Sequence, residues 1–145
     1  MSENKKYELV KDDTITTPSG RTLYRIKALV AIGLLVAPGD LGGYIENVNN
    51  LSVYGDAWVY GDALVYGDAR VKTRSDIQWF SHVGSEGGTL TVCKAKRGLF
   101  VSRGCFSGTL PQFKKAVKAK HGDSKYGRHY AALIQSIEIW FGEEK

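Results

Sequence analysis

Residues 51–86 read LSVYGDAWVYGDALVYGDARVKTRSDIQWFSHVGSE and carry a pattern that recurs every six residues. The aliphatic positions of this repeat are Val53, Val59, Val65, Val71, Ile77 and Val83. A small residue stands two positions before most of them, and Gly-Asp turn pairs lie between them. A strand repeats every two residues and a helix about every 3.6, so neither explains this period.

A three-sided coil does explain the period, because each six-residue unit can form one side of a triangle with its aliphatic residue inside. The sequence therefore predicts a short left-handed parallel β-helix, in which Val53 lies beneath Val71 and Val59 beneath Ile77. Strands stacked about 4.8 Å apart would make this repeat a slab only about 10 Å thick. Its two ends would need caps.

The flanking segments are the predicted caps. Residues 1–50 form an N-terminal β segment, with strands at 7–10, 14–17 and 22–30. Residues 87–145 form a β-hairpin, 90–96 with 99–106, followed by two helices. The first helix starts at the capping residue Thr109 and ends at Gly122, and the second spans 124–141. The predicted fold class is mainly β with C-terminal α (α+β), with the repeat at 51–86, in one compact unit.

Positive charge is concentrated in residues 94–130, although the whole chain carries only +5. The basic residues of this segment are Lys94, Lys96, Arg97, Arg103, Lys114, Lys115, Lys118, Lys120, Lys125 and Arg128. We interpret them as a partner-binding surface for nucleic acid or for an acidic protein surface. The alternative is an ordinary solvated face.

A second predicted surface is apolar. In the prism, Trp58, Tyr60, Leu64 and Tyr66 project outwards from two sides and would expose a large apolar patch. Either the C-terminal helices cover them, or they form an oligomer or docking surface. Homo-oligomerisation through these sides is a hypothesis.

Three stretches carry a family resemblance: residues 24–29 (YRIKAL), residues 39–46 (GDLGGYIE) and residues 104–110 (GCFSGTL). Together with the Val-Tyr-Gly-Asp-Ala runs, they resemble a family of phage- and prophage-encoded proteins. The resemblance implies an origin in mobile genetic elements and transfers no catalytic residue.

Charge and resemblance together suggest a non-enzymatic, phage-encoded effector that docks on a host protein or nucleoprotein complex. Its hypothetical role is inhibition of a nucleic-acid-directed defence system, as anti-CRISPR or anti-restriction proteins do. The alternative is direct nucleic-acid binding. A third hypothesis is enzymatic, because hexapeptide β-helices resemble trimeric acyltransferases, in which a histidine activates the acceptor.

Enzymatic chemistry has little support in the sequence. His82 is the one histidine of the repeat, and we interpret it as solvent-facing. Asp56, Asp62 and Asp68 share a repeat position but would lie on different sides of the prism. No catalytic residue, cofactor or metal is predicted.

The remaining predictions concern location and small motifs. No stretch is long and apolar enough for a membrane span or a signal peptide, so a cytoplasmic protein in the bacterial host is expected. Cys93 and Cys105 are predicted to be reduced thiols. Residues 39–43 (GDLGG) are interpreted as a bend.

Overall fold

The computed structural model describes residues 4–104 and 106–142 as a mixed α+β protein with two four-stranded sheets and two helices. The elements are β1 (Tyr7–Thr16), β2 (Thr22–Ala28), β3 (Leu41–Ile45), β4 (Leu64–Val65), β5 (Ile77–Val83), β6 (Gly88–Lys94), β7 (Leu99–Arg103), β8 (Phe106–Gly108), α1 (Leu110–His121) and α2 (Lys125–Phe141). Short 3-10 helices lie at Val48–Asn50 and Arg74–Asp76.

The first sheet has the order β1-β2-β3-β4. β1 and β2 form an antiparallel pair that begins with Tyr7 opposite Ala28 and is interrupted by an irregularity between Val10 and Thr14. In β2, Ile26 and Ala28 are buried on either side of Lys27, and Leu23, three positions before Ile26, is buried as well. The period-two pattern therefore holds in the second half of β2 but not along the whole strand.

The predicted left-handed β-helix is wrong. Within residues 51–76 the one regular strand is β4, two residues long, and it pairs in parallel with β3, which precedes the repeat. Val71 bridges to Leu51 and not to Val53, and Ile77 opens β5, which is antiparallel to β6. Val59, Val65 and Val71 are buried nonetheless. The period of six thus marks which residues point inwards, but it does not determine which strand each unit pairs with.

The glycine-rich stretch expected as a bend forms most of β3. Gly43 N donates to Val59 O at 2.8 Å, and Tyr44 N donates to Ala63 O at 3.0 Å. A Cβ at Gly42 or Gly43 would lie 2.5 Å from a repeat carbonyl, that of Val59 or Ala63. The glycines therefore permit a close approach of the repeat backbone to the strand.

The second sheet is an antiparallel meander in the order β5-β6-β7-β8. The hairpin of β6 and β7 and the two helices confirm the corresponding sequence predictions. Thr109 and Gln112 form the expected capping box, and Ser124 caps α2. Both helices bury their apolar faces on this sheet.

The two sheets meet where the repeat lies against the hairpin. Ala69 bridges to Ala95, Leu64 N donates to the Thr91 hydroxyl at 3.2 Å, and the Ser102 hydroxyl donates to Leu64 O at 3.0 Å. These contacts bring the basic hairpin alongside the end of the repeat.

Candidate functional site

The basic segment 94–130 does not form one surface. Lys94 pairs with Leu99 at one end of the hairpin, and Leu90 pairs with Arg103 at the other end. Four residues of strand separate these pairs, which corresponds to about 13 Å. The ten predicted basic residues are therefore divided between the two ends of the second sheet and the helices.

Five cations gather at the turn of the hairpin, and we call them the hairpin-end cluster. Its members are Arg70, Lys72, Lys94, Lys96 and Arg97. Arg70 N donates to Lys94 O at 2.7 Å, and Lys96 N donates to Asp68 O at 2.9 Å. The two backbone segments therefore run side by side and present their cations together.

Carboxylates neutralise this cluster only in part. Lys94 Nζ lies 3.8 Å from one oxygen of Asp76, whose other oxygen accepts the backbone amides of Lys72 and Thr73, each at 2.9 Å. The Arg70 guanidinium donates to the carbonyls of Gly67 and Ala69. With Asp68 and Asp76 as the acids of these segments, positive charge remains in excess.

A tryptophan lies at the edge of the cluster. Trp140, near the end of α2, is 51% exposed, and its Nε1 donates to Ser75 O at 2.9 Å. Lys94 lines the shallow depression beside Trp140 and also the one between Arg70, Lys72 and Lys96. The cations and the indole therefore belong to one continuous surface.

Sequence reasoning missed Arg70, Lys72 and Trp140. A signal for the first two was present, because the Gly-Asp pairs end at Asp68 and basic residues then alternate around buried Val71. Trp140 lies in the second predicted helix, at 124–141, and no function was predicted for it. Its position beside Lys94 follows from packing between distant segments.

The other predicted basic residues lie on or near the helices. Lys114 Nζ is 2.6 Å from Glu138 Oε2, which ties α1 to α2. The remaining helical cations are exposed: Lys115, Lys118, Lys120, Lys125 and Arg128. Arg103 is instead largely buried, with Nε donating to the Tyr130 hydroxyl and Nη2 to Val83 O.

The predicted apolar docking surface of Trp58, Tyr60, Leu64 and Tyr66 is not on the outside of the molecule. Trp58 is 1% exposed and meets Tyr7 of β1 edge to face. Tyr66 is buried against Phe100 of β7, and partly buried Tyr60 stacks on Trp79 of β5 at 4.8 Å. Their outward direction was inferred from a prism that does not form, and strands of both sheets cover them.

The residues weighed for catalysis lie apart. His82 is exposed in β5. Asp56 is 3.7 Å from Arg74, and Asp62 is 4.0 Å from Arg25, so the repeat aspartates face different partners. Across residues 4–104 and 106–142, no three His, Cys, Asp or Glu side chains group as metal ligands.

Of the two cysteines, the structure describes Cys93. Cys93 is a free thiol in the core, and burial raises its pKa, with nearby Asp76 acting in the same direction. A buried neutral thiol is a poor nucleophile. Cys105 lies outside the described residues, so the prediction of a reduced thiol there stays a prediction.

Comparison of the chain with protein-family profiles, with curated proteins and with solved structures found no match. In the part of the chain that the structure describes, no helix has the length and apolar character needed to cross a membrane.

Proposed function

We propose that this is a non-enzymatic binding protein whose hairpin-end cluster binds single-stranded nucleic acid. The observation that carries the proposal is the convergence of Arg70 and Lys72 from the repeat with Lys94 and Lys96 from the hairpin. Phosphate groups release condensed counterions when such cations approach them, which favours binding.

Trp140 is the reason for proposing a single strand. Proteins that hold single strands combine a cationic track with aromatic side chains on which unpaired bases stack. The indole is about half exposed and held beside Lys94 by its hydrogen bond to Ser75. In a duplex the bases are already stacked on one another and would not be open to it.

Charge-matched variants test the surface. We expect Lys94→Gln/Lys96→Gln to weaken binding of a fluorescein-labelled 20-nucleotide single strand at least tenfold in fluorescence anisotropy. The control Lys115→Gln/Lys118→Gln removes the same charge from the exposed face of α1. If both variants lost the same affinity, the loss would be due to net charge alone, and the proposal would be contradicted.

Stacking on the indole is tested separately. Trp140→Ala is expected to weaken binding by about 1–3 kcal/mol, and Trp140→Phe to keep most of the affinity because it retains an aromatic ring. Ile139→Ala, also exposed on α2, is the control. Unchanged affinity in Trp140→Ala would remove the argument for a single strand.

The family resemblance supplies a biological setting for this binding. We propose that the protein is phage-encoded, acts in the cytoplasm of the bacterial host and interferes with a nucleic-acid-directed defence system. Binding to the guide or substrate strand of a host complex would be one way to interfere. We expect the native chain to inhibit target cleavage by such a complex. The variant Lys94→Gln/Lys96→Gln should lose this inhibition.

A second candidate function is docking on a host protein, which the exposed apolar tip at residues 29–36 favours. Ile32 and Val36 pair across this tip, so that Leu34 and Leu35 project almost wholly into solvent. Large exposed apolar side chains in one patch are typical of interaction sites.

Capture from nuclease-treated host lysate tests this candidate. A specific protein should be retained by the native chain and by Leu41→Ser, an exposed leucine elsewhere, and lost with Leu34→Ser/Leu35→Ser. Light scattering on the same proteins shows whether the tip instead joins two copies. A monomer that captures no protein would rule out both uses of the tip.

A further inference from the structure

A cavity lies at the end of β7 opposite to the hairpin-end cluster, between the turn that joins β5 to β6 and the two helices. Its volume is about 140 Å³, and Phe106, Phe113, Ala116 and Val117 supply its apolar wall. An apolar cavity of about 150 Å³ is large enough to hold one benzene ring. The space therefore has the size and lining to take a single aromatic ring.

Arg103 supplies the polar end of this cavity. Its side chain is only 10% exposed, and its Nη1 is 4.0 Å from the nearest oxygen of Glu86, which is 71% exposed. Nε and Nη2 donate to the Tyr130 hydroxyl and to Val83 O, at 3.0 and 2.9 Å. Among the described residues, Nη1 has no hydrogen-bond acceptor, so the guanidinium keeps a donor for a ligand.

Two neighbours strengthen the preference for an anion. The Tyr130 hydroxyl accepts from Arg103, which leaves its own proton available to donate. Lys120 lines the mouth of the cavity and adds a second cation against the one carboxylate of Glu86. His121 stacks on Tyr130, with ring centroids 5.6 Å apart, and closes one side.

Two glycines let the backbone pack closely against the polar end of the cavity. A Cβ at Gly84 would collide with the Tyr130 hydroxyl, and one at Gly88 would lie 2.8 Å from Arg103 Nη1. Both positions flank the turn between β5 and β6, so the backbone there holds the Arg103 guanidinium and the Tyr130 hydroxyl in place through close contact.

We propose that this cavity binds a small aromatic monocarboxylate of about the size of benzoate. The carboxylate accepts from Arg103 Nη1 and from the Tyr130 hydroxyl, with Glu86 turned out into solvent, and the ring packs against Phe106 and Phe113. Charge-assisted bonds of this kind are short and strong. A doubly charged phosphate would lose more hydration on entering the apolar wall than one guanidinium can replace.

Titration of the full chain with three probes tests the ligand class. Benzoate should produce saturable, one-to-one shifts in amide resonances around Arg103 and Tyr130. Benzamide, which has the ring without the charge, and inorganic phosphate, which has the charge without the ring, should bind at least tenfold more weakly. Absence of saturation with benzoate, or equal binding of benzamide or phosphate, would overturn the proposal.

Matched variants locate the site. Ala116→Leu fills the cavity and should lower benzoate affinity at least tenfold, whereas Ala119→Leu, on the exposed face of the same helix, should change it less than twofold. Lys120→Gln should lower the affinity for benzoate severalfold without altering the affinity for benzamide. Because Lys120 is exposed, this variant does not change the packing of the core. Equal effects of Ala116→Leu and Ala119→Leu, or unchanged binding in both Ala116→Leu and Lys120→Gln, would place the ligand elsewhere.

Discussion

Tyr7 shows how one side chain fastens β1 to the repeat. Its hydroxyl donates to Leu51 O at 2.6 Å, and its ring edge meets Trp58. Burial raises the pKa of this hydroxyl, with the Asn4 side chain opposing the shift, so it stays protonated and continues to donate.

Removing that hydroxyl should therefore lower the free energy of unfolding. Tyr7→Phe keeps the ring but leaves the buried Leu51 carbonyl without this donor, and we expect a loss of about 1–3 kcal/mol in the free energy of unfolding. Urea denaturation measures it. Tyr54→Phe, at an exposed tyrosine, is the control and should be neutral; equal stability of the two variants would contradict the structural role.

Lys6 is a buried cation with two carbonyl partners. Its Nζ donates to Ser52 O at 3.0 Å and to Tyr54 O at 3.3 Å, and the residue is 5% exposed. Burial lowers its pKa from 10.5 to about 8, although Asp56 opposes the shift. The charged form is therefore less favourable in the folded chain than in the unfolded chain.

This shift predicts a pH dependence with a definite sign. Between pH 8 and pH 10.5 the unfolded chain keeps the Lys6 proton while the folded chain has lost it, so the free energy of unfolding rises with pH. Relative to Lys6→Met, the native chain should gain stability from pH 7.5 to pH 10 in urea titrations. A constant difference between the two proteins over this range would contradict the shift.

At the scale of elements, β3 holds the repeat against the first sheet through backbone contact. Its Gly43 donates to Val59 O, and any Cβ there would meet the Ala63 carbonyl, which is backbone and cannot turn aside. The parallel pairing of Ile45 with Val65 continues the same contact.

Gly43→Ala should separate these two backbones. We expect a loss of about 3 kcal/mol or more in the free energy of unfolding, because the clash is with backbone and not with a flexible side chain. Leu41→Ala, on an exposed position of the same strand, should cost far less. Native stability in Gly43→Ala would show that the strand and the repeat are not in such close contact.

The elements that the sequence predicted are those with local signals. Thr109 and Gln112 identify the start of α1, and the alternation around Ile26 identifies β2, because each pattern is read within a few neighbouring residues. β3 was missed because its glycines carry a turn signal, whereas the reason for them lies in the distant carbonyls of Val59 and Ala63.

In the candidate site, too, the sequence predicted the residues with local signals and missed those that depend on long-range contacts. Lys94, Lys96 and Arg97 were identified from their charge in a hairpin. Arg70 joins them through the long-range bridge between Ala69 and Ala95, which no local pattern determines. Pairing between segments far apart in the chain also explains why Trp58 and Tyr66 are buried.

At the scale of the whole molecule, the two ends of the second sheet differ in character. The hairpin end carries a cationic surface beside an exposed indole, whereas the opposite end has an apolar cavity with one buried guanidinium. Cationic surfaces suit extended polyanions, and concave apolar cavities suit small ligands. The hexapeptide repeat supplies Arg70 and Lys72 to the first surface and packs in the core.

The most direct test is the salt dependence of single-strand binding. If about four cations each neutralise a phosphate, the plot of log K against log salt concentration should have a slope of about −2.8, and removing either pair should make it shallower by about 1.4. Arg70→Gln/Lys72→Gln and Lys94→Gln/Lys96→Gln should therefore change the slope equally. A slope near zero in the native chain, or one that neither double variant alters, would contradict a shared phosphate-binding surface.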